Sequence, residues 1–150
     1  EFRGLPHRLA AVAEIDGVRY VNDSKATNVD ALRRALESFT EPVTLLAGGR
    51  DKDGDFVSIR PLVMERVRLV VTVGEAAAKI EQSWPDVPHQ RAVTLEDAVQ
   101  IARTRTASGG VVLLSPGCAS YDMFRNFEER GARFEAAVLE LHRSLQKARR

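Results

Sequence analysis

Cysteine is nearly absent from these 150 residues: Cys118 is alone, which excludes an internal disulfide framework. An excess of charge is lacking too. The 22 basic and 21 acidic residues leave a net +1, too little for the broad positive field of a nucleic-acid binder, although Lys147, Arg149 and Arg150 form a basic tail. That tail suits the negative pole of a helix end. No apolar run approaches the ~18 residues of a membrane span. No basic-then-apolar leader opens the chain, so the expected compartment is the cytoplasm. The sequence also lacks a G-x-x-x-x-G-K-[ST] loop, a G-x-G-x-x-G fingerprint, a Cys/His metal cluster and a Ser-His-Asp arrangement. Alone, it has no equipment to activate ATP.

What is present is the composition of a globular protein, 44% hydrophobic and 29% charged, at a length that suits one domain over residues 1–150. Residues 8–22 alternate apolar and polar around Asp16-Gly17, which predicts a hairpin. Asn28 caps a predicted helix whose apolar positions Ala31, Leu32, Ala35, Leu36 and Phe39 recur at three- and four-residue spacing, with Pro42 beyond its end. "PVTLLAGG" at 42–49 is a strand apolar on both faces. A helix at 57–66, a strand at 68–74, a helix at 75–83 and a weaker strand at 90–93 follow. Next come a helix from Thr94, a buried strand "GGVVLLS" at 109–115, and a closing helix with the stripe Phe134, Val138, Leu141, Leu145. Strands alternating with helices define an α/β fold: a Rossmann-like, doubly wound, mostly parallel sheet with an N-terminal β-hairpin.

Ligands of such sheets sit beyond the carboxyl ends of the strands, where three loops stand out. In "NDSKATN" at 22–28, Lys25 and Thr27 precede a helix N-terminus, a combination that suits a phosphate or carboxylate. Asp23 adds a partner for a ribose hydroxyl or a metal-bound water. The plainer alternative is that Ser24, Thr27 and Asn28 cap the helix and Lys25 is solvated. In "GGRDKDGDF" at 48–56, Asp51, Asp53 and Asp55 resemble a calcium loop, but the sixth position is Phe56 and the twelfth Leu62, which excludes that reading. Lys52 is then either part of an acidic turn or the counter-ion of a substrate carboxylate. In "SPGCAS" at 115–120, small residues leave room for a ligand, and Ser115, Ser120 and backbone N–H groups offer donors. Cys118 has no histidine in these loops to activate it and is expected to be a buried small residue. Phe124 fits core packing, while His89 and His142 are structural or solvated.

Together, "FRGLPHR" at 2–8, "NDSKATN" at 22–28, "LAGGRDKDGDF" at 46–56 and "LLSPGCASYDMFRNFEERG" at 113–131 closely resemble the C-terminal domain of the Mur ligases, in the branch that adds D-glutamate. Four motifs in register over nearly the whole chain are highly specific. Sister ligases carry an Asp-Tyr-Ala-His type loop where this chain has Asp23-Ser24-Lys25-Ala26. The resemblance implies a cytoplasmic three-domain enzyme of peptidoglycan synthesis, with a UDP-binding domain and a central ATPase domain outside this chain. ATP and magnesium, bound mainly by the central domain, would convert UDP-N-acetylmuramoyl-L-alanine to an acyl phosphate that D-glutamate attacks. By the same resemblance, Lys52, Ser120, Tyr121 and Phe127 bind D-glutamate, Tyr121 standing where the family pattern has Leu. Lys25 and Thr27 serve the acyl phosphate; Asp23, His7 and Arg8 border the nucleotide. Two alternatives remain: a stand-alone Rossmann-type nucleotide-binding module, and the C-terminal domain of a folylpolyglutamate synthase-like ligase.

Overall fold

Asp16 and Gly17 both take left-handed backbone angles (φ 53° and 77°), as the tight hairpin turn requires. They join β1 (Ala10–Ile15) to an antiparallel β2 (Val18–Asn22), which sets the first edge of the sheet. The computed structural model describes residues 5–149; Phe2, Arg3 and Gly4 of the first motif and Arg150 of the basic tail lie outside the described residues.

Beyond the hairpin the chain runs α1 (Val29–Glu37), β3 (Val43–Gly48), α2 (Arg60–Arg66), β4 (Val67–Val73), α3 (Ala77–Ser83), β5 (His89–Arg91), α4 (Leu95–Arg105), β6 (Val111–Leu114) and α5 (Phe127–Ala148). The strand order is β1-β2-β6-β3-β4-β5, and every pair except β1/β2 is parallel. Parallel crossovers keep one hand. The steps β2 to β3, β3 to β4 and β4 to β5 advance across the sheet and place α1, α2 and α3 on one face; the return from β5 to β6 places α4 on the other, where α5 joins it.

Strand residues alternate between two cores as the pleat dictates. Val21, Leu45, Val70, Val111 and Leu113 pack under α1–α3, while Tyr20, Leu46, Val71, Val112 and Leu114 pack under α4 and α5 with Phe134, Val138 and Leu141. Leu145 of the predicted stripe is partly buried against the second core, as is Phe124.

Two expected helices differ in detail. The segment read as a helix at 57–66 is a 3-10 helix, Phe56–Ile59, followed by α2; Pro61 lacks an N–H and fits only the first turn of the new helix. The helix expected from 75 begins at Ala77, because Gly74 (φ 76°) and Glu75 form a turn whose Glu75 amide donates to Asp122 Oδ2. Among the described residues, no helix is long and apolar enough to cross a membrane.

Candidate functional site

The loops after β2, β3 and β6 meet at the carboxyl ends of neighbouring strands, and main-chain bonds lace them together. Asp23 N donates to Leu114 O, Gly48 N to Pro116 O and Gly117 N to Ala26 O, at 2.7, 3.1 and 2.9 Å. Arg50 and Ala119 exchange both bonds of an isolated bridge (2.8 and 3.0 Å), which brings Lys52 and Ser120 onto adjoining loops.

In the first loop Asn28 alone caps α1, its Oδ1 accepting from Ala31 N at 2.8 Å. Ser24 turns to α5 instead, donating to Phe127 O at 2.7 Å. Lys25 is exposed, with Nζ 5.8 Å from the Phe127 ring, and the His7 ring meets the same phenylalanine edge-on at 6.3 Å. Thr27 is half-buried, and its hydroxyl makes no hydrogen bond among the described residues. Arg8, Asp23, Lys25 and Arg34 line a cavity of about 380 Å³ between the entering segment and α1.

Asp23 is 4% exposed and accepts from Leu9 N at 3.1 Å and from Ser115 Oγ at 2.8 Å. Burial pushes its carboxyl up to about 6, against the partial relief of those bonds. The folded-state value lies above the unfolded one, so this group's favourable contribution is present below pH 4 and is lost as pH rises through about 6. Asp23→Asn is therefore expected to gain on the order of 2–3 kcal/mol relative to the parent between pH 4 and 8 in denaturant melts. A gain that does not change with pH would contradict this assignment.

In the second loop two of the three acids, Asp51 and Asp55, are committed and the lysine is not. Asp51 pairs with Lys79 and accepts from Gly54 N at 2.8 Å, and Asp55 caps the 3-10 helix through Ser58 N. Lys52 stays exposed. Among the described residues, Arg8, Lys25, Lys52, Arg68, Arg105, Arg130 and Lys147 have no carboxylate partner, and Arg8, Lys25, Lys52 and Arg130 belong to this end of the sheet. Several unneutralised cations in one region suit an anionic ligand.

The third loop is packed into the body of the domain. Residues 111–120 are all buried, and Gly117 (φ 68°) lies against α1 and the 3-10 helix: a Cβ there would meet Leu32 at 3.0 Å and Phe56 at 3.4 Å. At Gly117, therefore, the chain's own elements fill the space that a side chain would take. Cys118 is buried as expected, and its thiol is pushed up to about 12 by desolvation, which leaves it without nucleophilic character. Ser120 is 2% exposed, whereas Tyr121 is 58% exposed. Phe127 is half-buried.

Arg130, overlooked in the sequence, joins two of these loops from α5. Its guanidinium is 2% exposed and donates to Ser24 Oγ (2.9 Å), Ser24 O (2.7 Å) and Cys118 O (3.0 Å). Desolvation pushes it down to about 10. A signal was available: Arg130 stands four residues before Phe134 and so continues the apolar stripe. A cation on a buried stripe needs partners.

The fold is a doubly wound α/β sheet whose strand-end loops carry cations that have no carboxylate partner among the described residues. Residues 7–118 match the family "Mur ligase, glutamate ligase domain", and the chain belongs to that family. It is 53% identical over 138 residues to a UDP-N-acetylmuramoylalanine–D-glutamate ligase from Geobacter sp. (strain M21), covering 91% of this chain and 30% of that protein. To the enzyme of the same name from Salinibacter ruber it is 52% identical over 141 residues, again covering 91% and 30%. The fold is similar to that of the bifunctional folylpolyglutamate synthase/dihydrofolate synthase from Yersinia pestis, solved with AMPPNP and a Mn ion: TM-score 0.63 at 20% identity, over 89% of this chain and 31% of that one. The chain thus spans about a third of the length of the relatives it matches.

Proposed function

We infer that this chain is the C-terminal, glutamate-binding domain of an ATP-dependent ligase that joins D-glutamate to UDP-N-acetylmuramoyl-L-alanine in cytoplasmic peptidoglycan synthesis, its UDP-binding and ATPase domains lying elsewhere in the polypeptide. The observation that supports this reading most is the set of unpaired cations Arg8, Lys25 and Lys52 on converging loops. D-glutamate brings two carboxylates and an acyl phosphate brings more negative charge.

In this reading the alanyl carboxylate is phosphorylated by ATP, and the D-glutamate amine attacks the resulting acyl carbon. The tetrahedral intermediate then expels phosphate, and the amine proton passes to solvent or a base. Lys52, with Ser120, Tyr121 and Phe127, holds glutamate; Lys25 and Thr27 stabilise oxygens of the acyl phosphate; Asp23, His7 and Arg8 border the nucleotide. Among the described residues no three His, Cys, Asp or Glu side chains gather into a cation site. These residues do not fit a magnesium site of their own, and no step is assigned to that ion from this chain.

The test is phosphate release by the intact polypeptide with ATP, magnesium and UDP-N-acetylmuramoyl-L-alanine. Turnover is expected with D-glutamate and not with L-glutamate. Preference for the L-isomer would favour a folylpolyglutamate synthase-like specificity, and indifference to either would refute the ligase reading.

A further inference from the structure

Asn22, the last residue of β2, is fully buried, and its amide touches three separate elements. Its Oδ1 accepts from the Ser24 backbone N–H at 3.0 Å. That bond fixes which way the amide points, because a backbone donor requires the oxygen. The Nδ2 group is therefore the one that faces His7 Nδ1 (2.9 Å), Glu135 Oε2 (2.7 Å) and, more distantly, Gly131 O (3.3 Å). An amide nitrogen only donates. His7 Nδ1 must then present its lone pair, and the ring proton sits on Nε2.

The surroundings hold this arrangement from several sides. A side chain at position 131 would exclude the imidazole, since a Cβ there would lie 2.2 Å from His7 Nδ1. His7 and Leu9 both take left-handed backbone angles (φ 62° and 47°), a region that L residues seldom occupy. They are kept there by Lys25 N donating to His7 O at 3.0 Å and Leu9 N donating to Asp23 Oδ1 at 3.1 Å. The His7 ring also meets Phe127 edge to face, the same ring that Lys25 overlies.

We propose that Asn22, seated against Gly131 and Glu135 of α5, is a positioning residue that holds the His7 ring through Nδ1, in the tautomer that carries its proton on Nε2, so that the ring can serve as a donor to an anionic group of the substrate or nucleotide. Arg8 and Lys25 supply the positive charge around the ligand, while His7 supplies a directional N–H donor. The functional half of this proposal rests on the ligase reading; the tautomer does not.

Two measurements test it. The first is ¹⁵N-histidine NMR of the protein. His7 is expected to show an unprotonated Nδ1 and a protonated Nε2, and Asn22→Asp, which replaces the donor by an acceptor, is expected to protonate Nδ1 at the same pH. A protonated Nδ1 in the parent, or no response to Asn22→Asp, overturns the proposal. The second is kinetic, on the intact ligase. Asn22→Asp and Gly131→Ala, which both disturb His7 at Nδ1, one by chemistry and one by bulk, are each expected to lower kcat about tenfold while the KM for D-glutamate stays within about twofold. In a His7→Ala background, Asn22→Leu is expected to add less than about a twofold further loss. Losses that multiply would mean that Asn22 acts through the fold and not through His7. Absence of D-glutamate-dependent turnover in the parent would instead refute the ligase reading, and the NMR result would still stand or fall separately.

Discussion

Lys52→Ala in the intact ligase is expected to raise the KM for D-glutamate by about tenfold or more, with the KM for ATP within about twofold of the parent. Lys52 is an exposed cation with no carboxylate partner among the described residues, in a loop where Asp51 is engaged with Lys79 and Gly54 N and Asp55 with Ser58 N. Its ammonium loses no existing ion pair when a substrate carboxylate arrives. A charge-assisted hydrogen bond contributes roughly 1.5–3 kcal/mol, which converts to about ten- to a hundredfold in affinity. Lys52→Arg should recover part of the loss, since it keeps the charge and changes the reach. Initial rates with each substrate varied in turn provide the check. Equal increases for both substrates would remove Lys52 from the glutamate site.

Arg130→Met should cost about 3–5 kcal/mol of stability, seen as a melting temperature lower by roughly 6–20 °C. The guanidinium is the one donor serving Ser24 O and Cys118 O together, and it also serves Ser24 Oγ. Methionine fills the space and leaves those acceptors without a partner. Relief of the desolvation that depresses Arg130 offsets part of the loss. The net cost is expected to remain large because removing one member of a buried polar network exposes the others to an apolar surrounding. A loss under about 1 kcal/mol would mean that the three bonds merely balance the burial of the charge.

The parts of this molecule that were legible in the sequence are those decided locally. Asp16-Gly17, Asn28 and Thr94 state their turn or cap within three or four residues, and each does so in the structure. The periodic stripe of α5 and the buried runs of β3, β4 and β6 were equally plain, because burial on both faces leaves no alternation to misread. The segment 115–120 was visible, but small residues record a close approach and not by what; at Gly117 Leu32 and Phe56 provide it. Lys25 and Lys52 drew attention by their loops, yet whether they were free depended on where Asp51, Asp55 and Ser24 spent their bonds, which only the folded chain decides. Arg130 and Asn22 were passed over because each sits in an element whose local pattern is satisfied without them. Their partners lie 106 and 109 positions away, Ser24 for Arg130 and Gly131 for Asn22.

The place of β6 between β2 and β3 has a consequence for synthesis on the ribosome. Until residues 111–114 emerge, the hairpin and the β3-β4-β5 portion have no strand to join them, and the edges of β2 and β3 stay unpaired. The nascent chain therefore completes its sheet late, with long-range pairings that close slowly and leave exposed strand edges open to mispairing in the interval. A ribosome that stalls before residue 111 holds two fragments of a sheet, and a chaperone that shields strand edges has most to do in that window.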